Sequence, residues 1–437
     1  MYGQAHSHRP IFKMGRSSTK AALTTLLWLS FLISGFLFFA RTAQAQTYQV
    51  IHSFTGGADG AAPAAGLVMD AAANLYGTTQ QGGFSGRMEC PNGCGTVFQL
   101  SKLDSAWILT PVYRFTGKPD GYYPSANLVF GPDGSLYGTT RYGGVPNNCI
   151  PVGCGTVFKV TSDDQGRWTE SVLHRFEPGS EGYDPFASPV AFDSAGDIYV
   201  TTEIGGPQRW GSVIELTPSA NGWIANVVHA FGGPGDGQDP TNGAILDSAG
   251  NLYGTTYYGL TYGSVFELSP SGSGWTETIL HNFQDTLDGA SPQGGLIFDR
   301  AGNLYGMTAG DGHGYRPGGS GTVFMLSPAN GNWTLHGLYS FFPRNGIGAG
   351  PQSLMMDGAG NLYGTTVSGG AYSAGNVFKL TPENGGWTYT SLHDFTGGSD
   401  GCSPEGGLII DANGNLYGTA NSCGLGYGLG VVFEITP

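Results

Sequence analysis

The chain has 437 residues, 76 of them glycine and 25 proline, with 11% charged side chains and a net charge of −14. A composition so rich in turn formers and so poor in charge points to an all-β protein of short strands. Its acidity repels phosphate backbones and anionic lipid surfaces, which excludes nucleic acid as an expected partner.

The first segment stands apart from the rest. Arg9, Lys13, Arg16 and Lys20 precede an uncharged apolar run from Ala21 to Ala40, and Ala43-Gln44-Ala45 offers the small residues of a signal-peptidase site. Residues 1–45 therefore read as a signal peptide cleaved after Ala45, which predicts a secreted or cell-surface protein. An uncleaved anchor is the competing reading, because the run is long enough to cross a bilayer. Cleavage would remove five basic residues and no acids, leaving 13 basic against 32 acidic side chains, a net charge of −19. No later stretch has the length and apolarity of a membrane span.

The chain then opens on a lone strand, Tyr48 to Phe54. Beyond it one phrase recurs, Asn74-Leu75-Tyr76-Gly77-Thr78-Thr79, and again around Tyr137, Tyr199, Tyr253, Tyr305, Tyr363 and Tyr417, at spacings of 61, 62, 54, 52, 58 and 54 residues. A fixed period marks units that bury their apolar faces against neighbours. Each period holds four β-type runs of 5 to 9 residues, here termed a to d. In the fourth they are Gly243 to Asp247, Asn251 to Thr256, Gly263 to Leu268 and Trp275 to Phe283. The last period stops after its c strand, Val431 to Ile435. Four antiparallel strands per unit predict a propeller blade, and the N-terminal d strand completes the blade begun near Gly407. Residues 46–437 thus read as a single seven-bladed β-propeller of four-stranded antiparallel blades. An open solenoid would need polar caps that the sequence lacks.

These phrases, the Gly82-Gly83, Gly143-Gly144, Gly205-Gly206 and Gly369-Gly370 pairs, and Gly-Thr-Val-Phe at 95–98, 155–158 and 321–324, resemble the GloVer (Gloeo_Verruco) tandem repeat of exported bacterial proteins. The resemblance covers residues 47 to 437. It implies export, often with a C-terminal sorting anchor. Here Pro437 follows the last strand directly, so the expectation is of no such anchor. The resemblance implies no chemistry.

Most chemical-looking residues are repeat positions. His52, His174, His229, His281 and His393 stand two before the Phe that ends strand d, with Tyr113 and Tyr339 at the other equivalents. A structural bond to a neighbouring loop or blade is the expected role. Asp70, Asp193, Asp247, Asp299, Asp357 and Asp411 are expected to start the a–b turn, with Gly131 in blade 2. The tryptophans at 107, 168, 223, 275, 333 and 387 open strand d as packing residues.

Two loop families share the face around the channel mouth. The d–a connections place Asp59, Asp120, Glu181, Asp236, Asp288 and Asp400, with Asn345 in an irregular copy. Oxygen ligands of this kind suit calcium, and Asp-Gly is equally a turn signal. The b–c loops carry Phe84, Tyr142, Trp210, Tyr257 with Tyr258 and Tyr262, Tyr315, Tyr372 and Tyr427. Such rings either pack under their own loops or stack on sugars or a protein partner; the second reading makes this face the candidate binding surface. Cys90 with Cys94, Cys149 with Cys154, and Cys402 with Cys423 are expected as disulfides in an oxidising compartment, with a four-cysteine zinc site on the first two pairs as the alternative.

Blade 5 carries Asp311-Gly312-His313-Gly314-Tyr315-Arg316 in place of the glycine pair, and Glu203, Arg209, Arg87 and Arg141 also break the repeat. A lyase or hydrolase with His313 as general base is the enzyme alternative. No Gly-x-Ser-x-Gly elbow or His-Glu-x-x-His pattern is present, so no enzyme is expected. The sequence thus predicts an exported binding or scaffold module for carbohydrate or protein, with a structural surface role as a further alternative.

Overall fold

Glycine stands in the repeated Leu-Tyr-Gly-Thr-Thr phrase because a phenylalanine ring fills the space a side chain would need. In the computed structural model, β3 (Leu75–Thr79) pairs antiparallel with β4 (Thr96–Leu103), setting Gly77 opposite Phe98. A Cβ on Gly77 would lie 2.6 Å from the end of that ring. The two phrases that define the repeat are therefore the two halves of one contact. The structure describes residues 46–437, apart from 84–87, 145–148, 150–151, 234, 260, 273, 285–287, 311–320, 342–348 and 427. The expected signal segment lies outside the described residues.

Among the described residues, 28 strands form seven four-stranded antiparallel sheets, the blades of a seven-bladed β-propeller. In the first blade the order is β2 (Val68–Met69), β3, β4 and β5 (Ala106–Arg114). The closing blade is built from both ends of the fold. Strands β26 (Ile409–Ile410), β27 (Leu416–Ala420) and β28 (Val431–Thr436) are joined on the outside by β1 (Thr47–Ser53). Thr47 lies opposite Thr436 and Ser53 opposite Val431, as the N-terminal d strand predicts.

The fourth blade shows where strand bounds depart from expectation. The inner strand β14 runs Gly237–Leu246, well beyond the expected start at Gly243, because Gly237, Gln238 and Pro240 pair with Gly259, Tyr258 and Thr256 of β15 (Leu252–Gly259). The outer strands β16 (Ser264–Ser271) and β17 (Gly274–Asn282) complete this blade. In four other blades the inner strand is only two residues long, short of the expected five or more. There the residues ahead of it keep only isolated bridges to their own b strand, such as Ala61 with Gln81, and between bridge and strand they bond to neighbouring blades; the Gly66 amide, for example, donates to Asn127 Oδ1 at 2.6 Å.

Blades are held face to face by aromatic rings. In every blade but the third, whose c strand has Ile214 instead, the Phe closing a d strand meets the Phe of the next blade's c strand, as in Phe54 with Phe98, Phe115 with Phe158, Phe283 with Phe324 and Phe395 with Phe433, at centroid separations of 5.1 to 5.4 Å. Each of these rings is fully buried, contributing about 1.5–3 kcal/mol. Half-buried tryptophans cover the other end, Trp168 edge-on to Tyr76 and Trp275 to Tyr199. The Tyr76 hydroxyl donates to Asp70 Oδ2 at 3.1 Å, and Asp70 Oδ1 accepts the Ala72 and Asn74 amides, which is the expected a–b turn. In blade 2, where Gly131 stands at that position, Asp133 takes over and accepts from the Tyr137 hydroxyl at 3.2 Å. All three expected disulfides are formed.

Candidate binding site at the channel mouth

A proline in each d–a connection sets the geometry of the mouth. The residue before it has a left-handed backbone in all seven blades, with φ between 51° and 65°: Ala62, Tyr123, Asp184, Asp239, Ser291, Gly350 and Ser403. That conformation is disfavoured before proline and is strained for residues other than glycine. Hydrogen bonds to both sides hold it. The Tyr123, Asp184 and Asp239 amides donate to the carbonyls of Cys94, Cys154 and Trp210 in the preceding blade. Their blades' b strands respond in kind, with the Arg141 and Glu203 amides donating to the Tyr123 and Asp184 carbonyls. The proline ring abuts the glycine before the preceding c strand, so that a Cβ on Gly95 would meet Pro124 Cδ at 2.7 Å.

This clasp presents two positions per blade toward the channel. One follows the Thr-Thr of strand b: Gln80, Arg141, Glu203, Tyr257, Ala309, Val367 and Asn421. The other follows the proline: Ala64, Ser125, Phe186, Thr241, Gln293, Gln352 and Glu405. The scaffold around them is nearly invariant and these two positions are not. All of them but Arg141, Ala309, Val367 and Asn421 line, with parts of the inner segments of all seven blades, a cavity of about 590 Å³.

Its charged groups lie on blades 2 to 4, at and beside its wall, with Glu405 on blade 7. Arg141 donates from Nε and Nη2 to Asp184 Oδ2 at 3.1 and 2.9 Å. The guanidinium also lies over the rings of Phe186 and Tyr142, 4.4 and 5.1 Å from their centroids. Burial, then the charge of Asp184, pushes the Glu203 carboxyl up to about 7 against the pull of Arg141. Its Oε2 is buried without a hydrogen-bond partner. Burial likewise raises Asp239 and Glu405, the latter accepting from Asn421 Nδ2 at 3.0 Å. Tyr258 stacks edge-on against Tyr257 at 4.6 Å and is half exposed. Three carboxyls that resist ionising, several amides and flat rings thus converge on one cavity.

The residues singled out from sequence distribute as follows. Tyr258 lines the cavity with its neighbour Tyr257. Tyr142 packs against Tyr122 and Tyr123, at 5.4 and 5.8 Å. Trp210 and Tyr372 are exposed on the loops. Phe84, Tyr315 and Tyr427, with His313 and Asn345, lie outside the described residues. The d–a acids are not gathered at one point. Each sits in its own blade's turn, paired with the strand d residue seven before it: His52 with Asp59, Tyr113 with Asp120, His174 with Glu181, His229 with Asp236, His281 with Asp288 and His393 with Asp400, at 2.7 to 3.2 Å. Backbone amides of Thr55, Thr116, Glu177, Gly232, Gln284 and Thr396 bond the same carboxylates. Phe186, Asp239 and Glu405 escape the sequence reading; their signal is that they fill otherwise regular register positions with unlike side chains.

The chain is distantly similar to several solved structures. A Bacteroides fragilis protein described as a candidate 6-phosphogluconolactonase shares 16% identity over 76% of this chain and 84% of its own, with a TM-score of 0.49. Its Bacteroides uniformis counterpart shares 16% over 75% and 84%, at 0.48. The aldose sugar dehydrogenase of Streptomyces coelicolor, in its PQQ-bound form, shares 11% over 90% and 98%, at 0.42. At this distance none of them carries an inference about chemistry. No curated protein matches the chain in sequence. The Gloeobacter/Verrucomicrobia repeat, by contrast, matches residues 34–150, 144–347 and 315–437, and with its seven repeats folded into seven blades, the chain belongs to that repeat family.

Proposed function

We propose that the channel mouth binds a neutral, polyhydroxylated ligand, a carbohydrate, and that the protein works as an exported binding module. The observation that carries this reading is the cavity where Glu203, Asp239 and Glu405, all held toward the protonated state, face Gln80, Gln293 and Gln352 beside the rings of Phe186 and Tyr258. Carboxyl and amide groups donate to and accept from hydroxyls, and flat rings stack on the apolar face of a sugar. An anion gains nothing from such a lining. Three disulfides suit an oxidising compartment outside the cytosol.

The test is a glycan array followed by calorimetry on the best ligand. Binding should weaken at least about tenfold in Phe186→Ala and in Tyr258→Ala, a loss of about 1.4 kcal/mol or more. Affinity untouched by both substitutions would remove the channel mouth as the site.

One observation favours a second reading, in which the same cavity hydrolyses its ligand. Glu203, poised near neutrality, has the proton affinity of a general acid, as a protonated carboxyl beside an ionised one does in glycoside hydrolysis. Turnover that vanishes in Glu203→Gln while binding persists would establish it; binding without turnover in the wild type would leave the module reading alone.

A further inference from the structure

Away from the channel, the seam between blades 3 and 4 carries a side-chain cluster that the repeat does not explain. We propose that His229, Asp236 and Glu277 form a site for a divalent first-row transition-metal ion, zinc foremost. His229 comes from β13 (Gly222–Ala230), Asp236 from the following d–a connection and Glu277 from β17 of the next blade. His229 Nε2 lies 3.2 Å from Asp236 Oδ2 and 3.8 Å from Glu277 Oε1, and one donor atom from each of the three residues lies within 4.8 Å of the others. Metal–ligand bonds of about 2.0–2.1 Å in a tetrahedron put donors about 3.3 Å apart, so His229 and Asp236 already stand at that spacing, His229 and Glu277 close by about half an ångström, and no pair needs to close by more than about 1.5 Å.

Two orphaned atoms point into the same place. The Asp236 side chain is only 8% exposed. Its Oδ2 takes the amides of Gly232 and Gly233, and its Oδ1 is buried with no hydrogen-bond partner. Glu277 Oε1 is buried too and meets no N–H or O–H of another residue; the carboxyls of Glu277 and Asp236 face each other within hydrogen-bonding reach, where only a shared proton or a cation can satisfy both. Leaving such acceptors unmet costs free energy that a cation would recover.

The other seams act as internal controls. The register position of Glu277, opposite Leu268 on strand c, is held by Leu109, Ala225 and Leu335 in three blades, which offer no ligand. In the closing blade it is Tyr48, stacked on His393 at 3.6 Å, and in blade 6 it is Tyr389, stacked on Tyr339. Glu170 recurs at the seam of blades 1 and 2, but there the phenol of Tyr113 stands where His229 does and donates to Asp120 at 2.7 Å. Among the described residues, only the seam of blades 3 and 4 joins an imidazole to two carboxylates. One nitrogen and two carboxylate oxygens match a borderline ion better than calcium, which takes six to eight oxygens. Three protein ligands leave a position for water, and the ion would tie blade 3 to blade 4.

The experiment is to strip the purified full chain with chelator, titrate it with zinc and with calcium by calorimetry, and follow melting by circular dichroism. One zinc per chain is expected. Affinity should fall more than about 100-fold, beyond the usual loss of an outer-shell partner, in His229→Ala and in the near-isosteric Glu277→Gln, and stay unchanged in His281→Ala. Tyr113→His, which completes the same set with Asp120 and Glu170, should add a second equivalent. A folded wild type that takes up no zinc, zinc held equally by folded Glu277→Gln, or calcium bound more tightly than zinc would each overturn the assignment.

Discussion

A carboxyl that burial keeps near neutrality costs the fold free energy whenever it ionises. An unfolded glutamate titrates near pH 4.3, whereas Glu203 in the fold titrates near 7. Between those values the folded state binds more protons, so its stability is greatest below the lower pKa and declines as pH rises through 7. With one side in contact with solvent, the cost is screened to about 1 kcal/mol. Glu203→Gln should therefore raise the unfolding free energy by about 1 kcal/mol at pH 8 and leave it unchanged at pH 4, as read by urea titration at both. Its neighbour Arg141 acts in the opposite sense. Asp184 has a side chain only 7% exposed and leans on the guanidinium, so Arg141→Ala strands a buried charge and should cost about 3 kcal/mol. Lysine cannot reproduce the fork or lie flat on Phe186, so Arg141→Lys should recover only a small part of that loss in the same assay.

At the scale of the strand, the seven copies vary together, and the variation is physical. Blade 3 alone sets Val200 where the others have glycine, and opposite it stands Ile214 where the others have phenylalanine. Blade 7 replaces the hydroxyl pair seen at Thr256 and Ser264, 2.8 Å apart, with Ala420 opposite Val431. The first swap gives a direct test. Gly254→Val drives a side chain into the Phe266 ring, where even a Cβ would come within 2.5 Å, and should cost about 2 kcal/mol. Phe266→Ile alone opens a void at similar cost. Together they reproduce blade 3, so the double variant should be at least about 1 kcal/mol more stable than the sum of the singles in a thermodynamic cycle. This coupling is why the fold is legible in one sequence: packing imposes the same Gly, Phe, Tyr and Asp in nearly every blade, and seven copies make the demand visible. The short inner strands are not legible, because bonds to other blades interrupt their ladder and leave only isolated bridges beyond the interruption. The channel-mouth residues are hidden for the opposite reason. They are free to differ, so Phe186 and Glu405 carry no repeated signature, and only the left-handed turn before each proline reveals that they face one cavity.

The seven blades between Thr47 and Thr436 form a ring, and the covalent bridges bear unequally on it. Cys90–Cys94 and Cys149–Cys154 span separations of 4 and 5 residues inside one loop, whereas Cys402–Cys423 spans 21 and ties the connection entering the closing blade to that blade's own b–c loop. Loop-closure entropy gives the longer bridge about 3 kcal/mol and each short one about 2. Replacing Cys402 and Cys423 with alanine should therefore lower the melting temperature most, which scanning calorimetry of the three paired variants would rank. The ring also has a seal. Thr47 and Thr436 meet across a separation of 389 residues, so the contact that finishes the circle is between the earliest and the latest of its strands to be made. A nascent chain emerging N-terminus first has its opening strand waiting, unpaired, until nearly every other residue of the ring has arrived. Six blades can assemble around that gap, but any product cut short of β28 keeps an open edge on which proteases or a second chain can act. Sealing thus doubles as a proof of length: only a chain synthesised through its closing strand becomes a closed, protected ring.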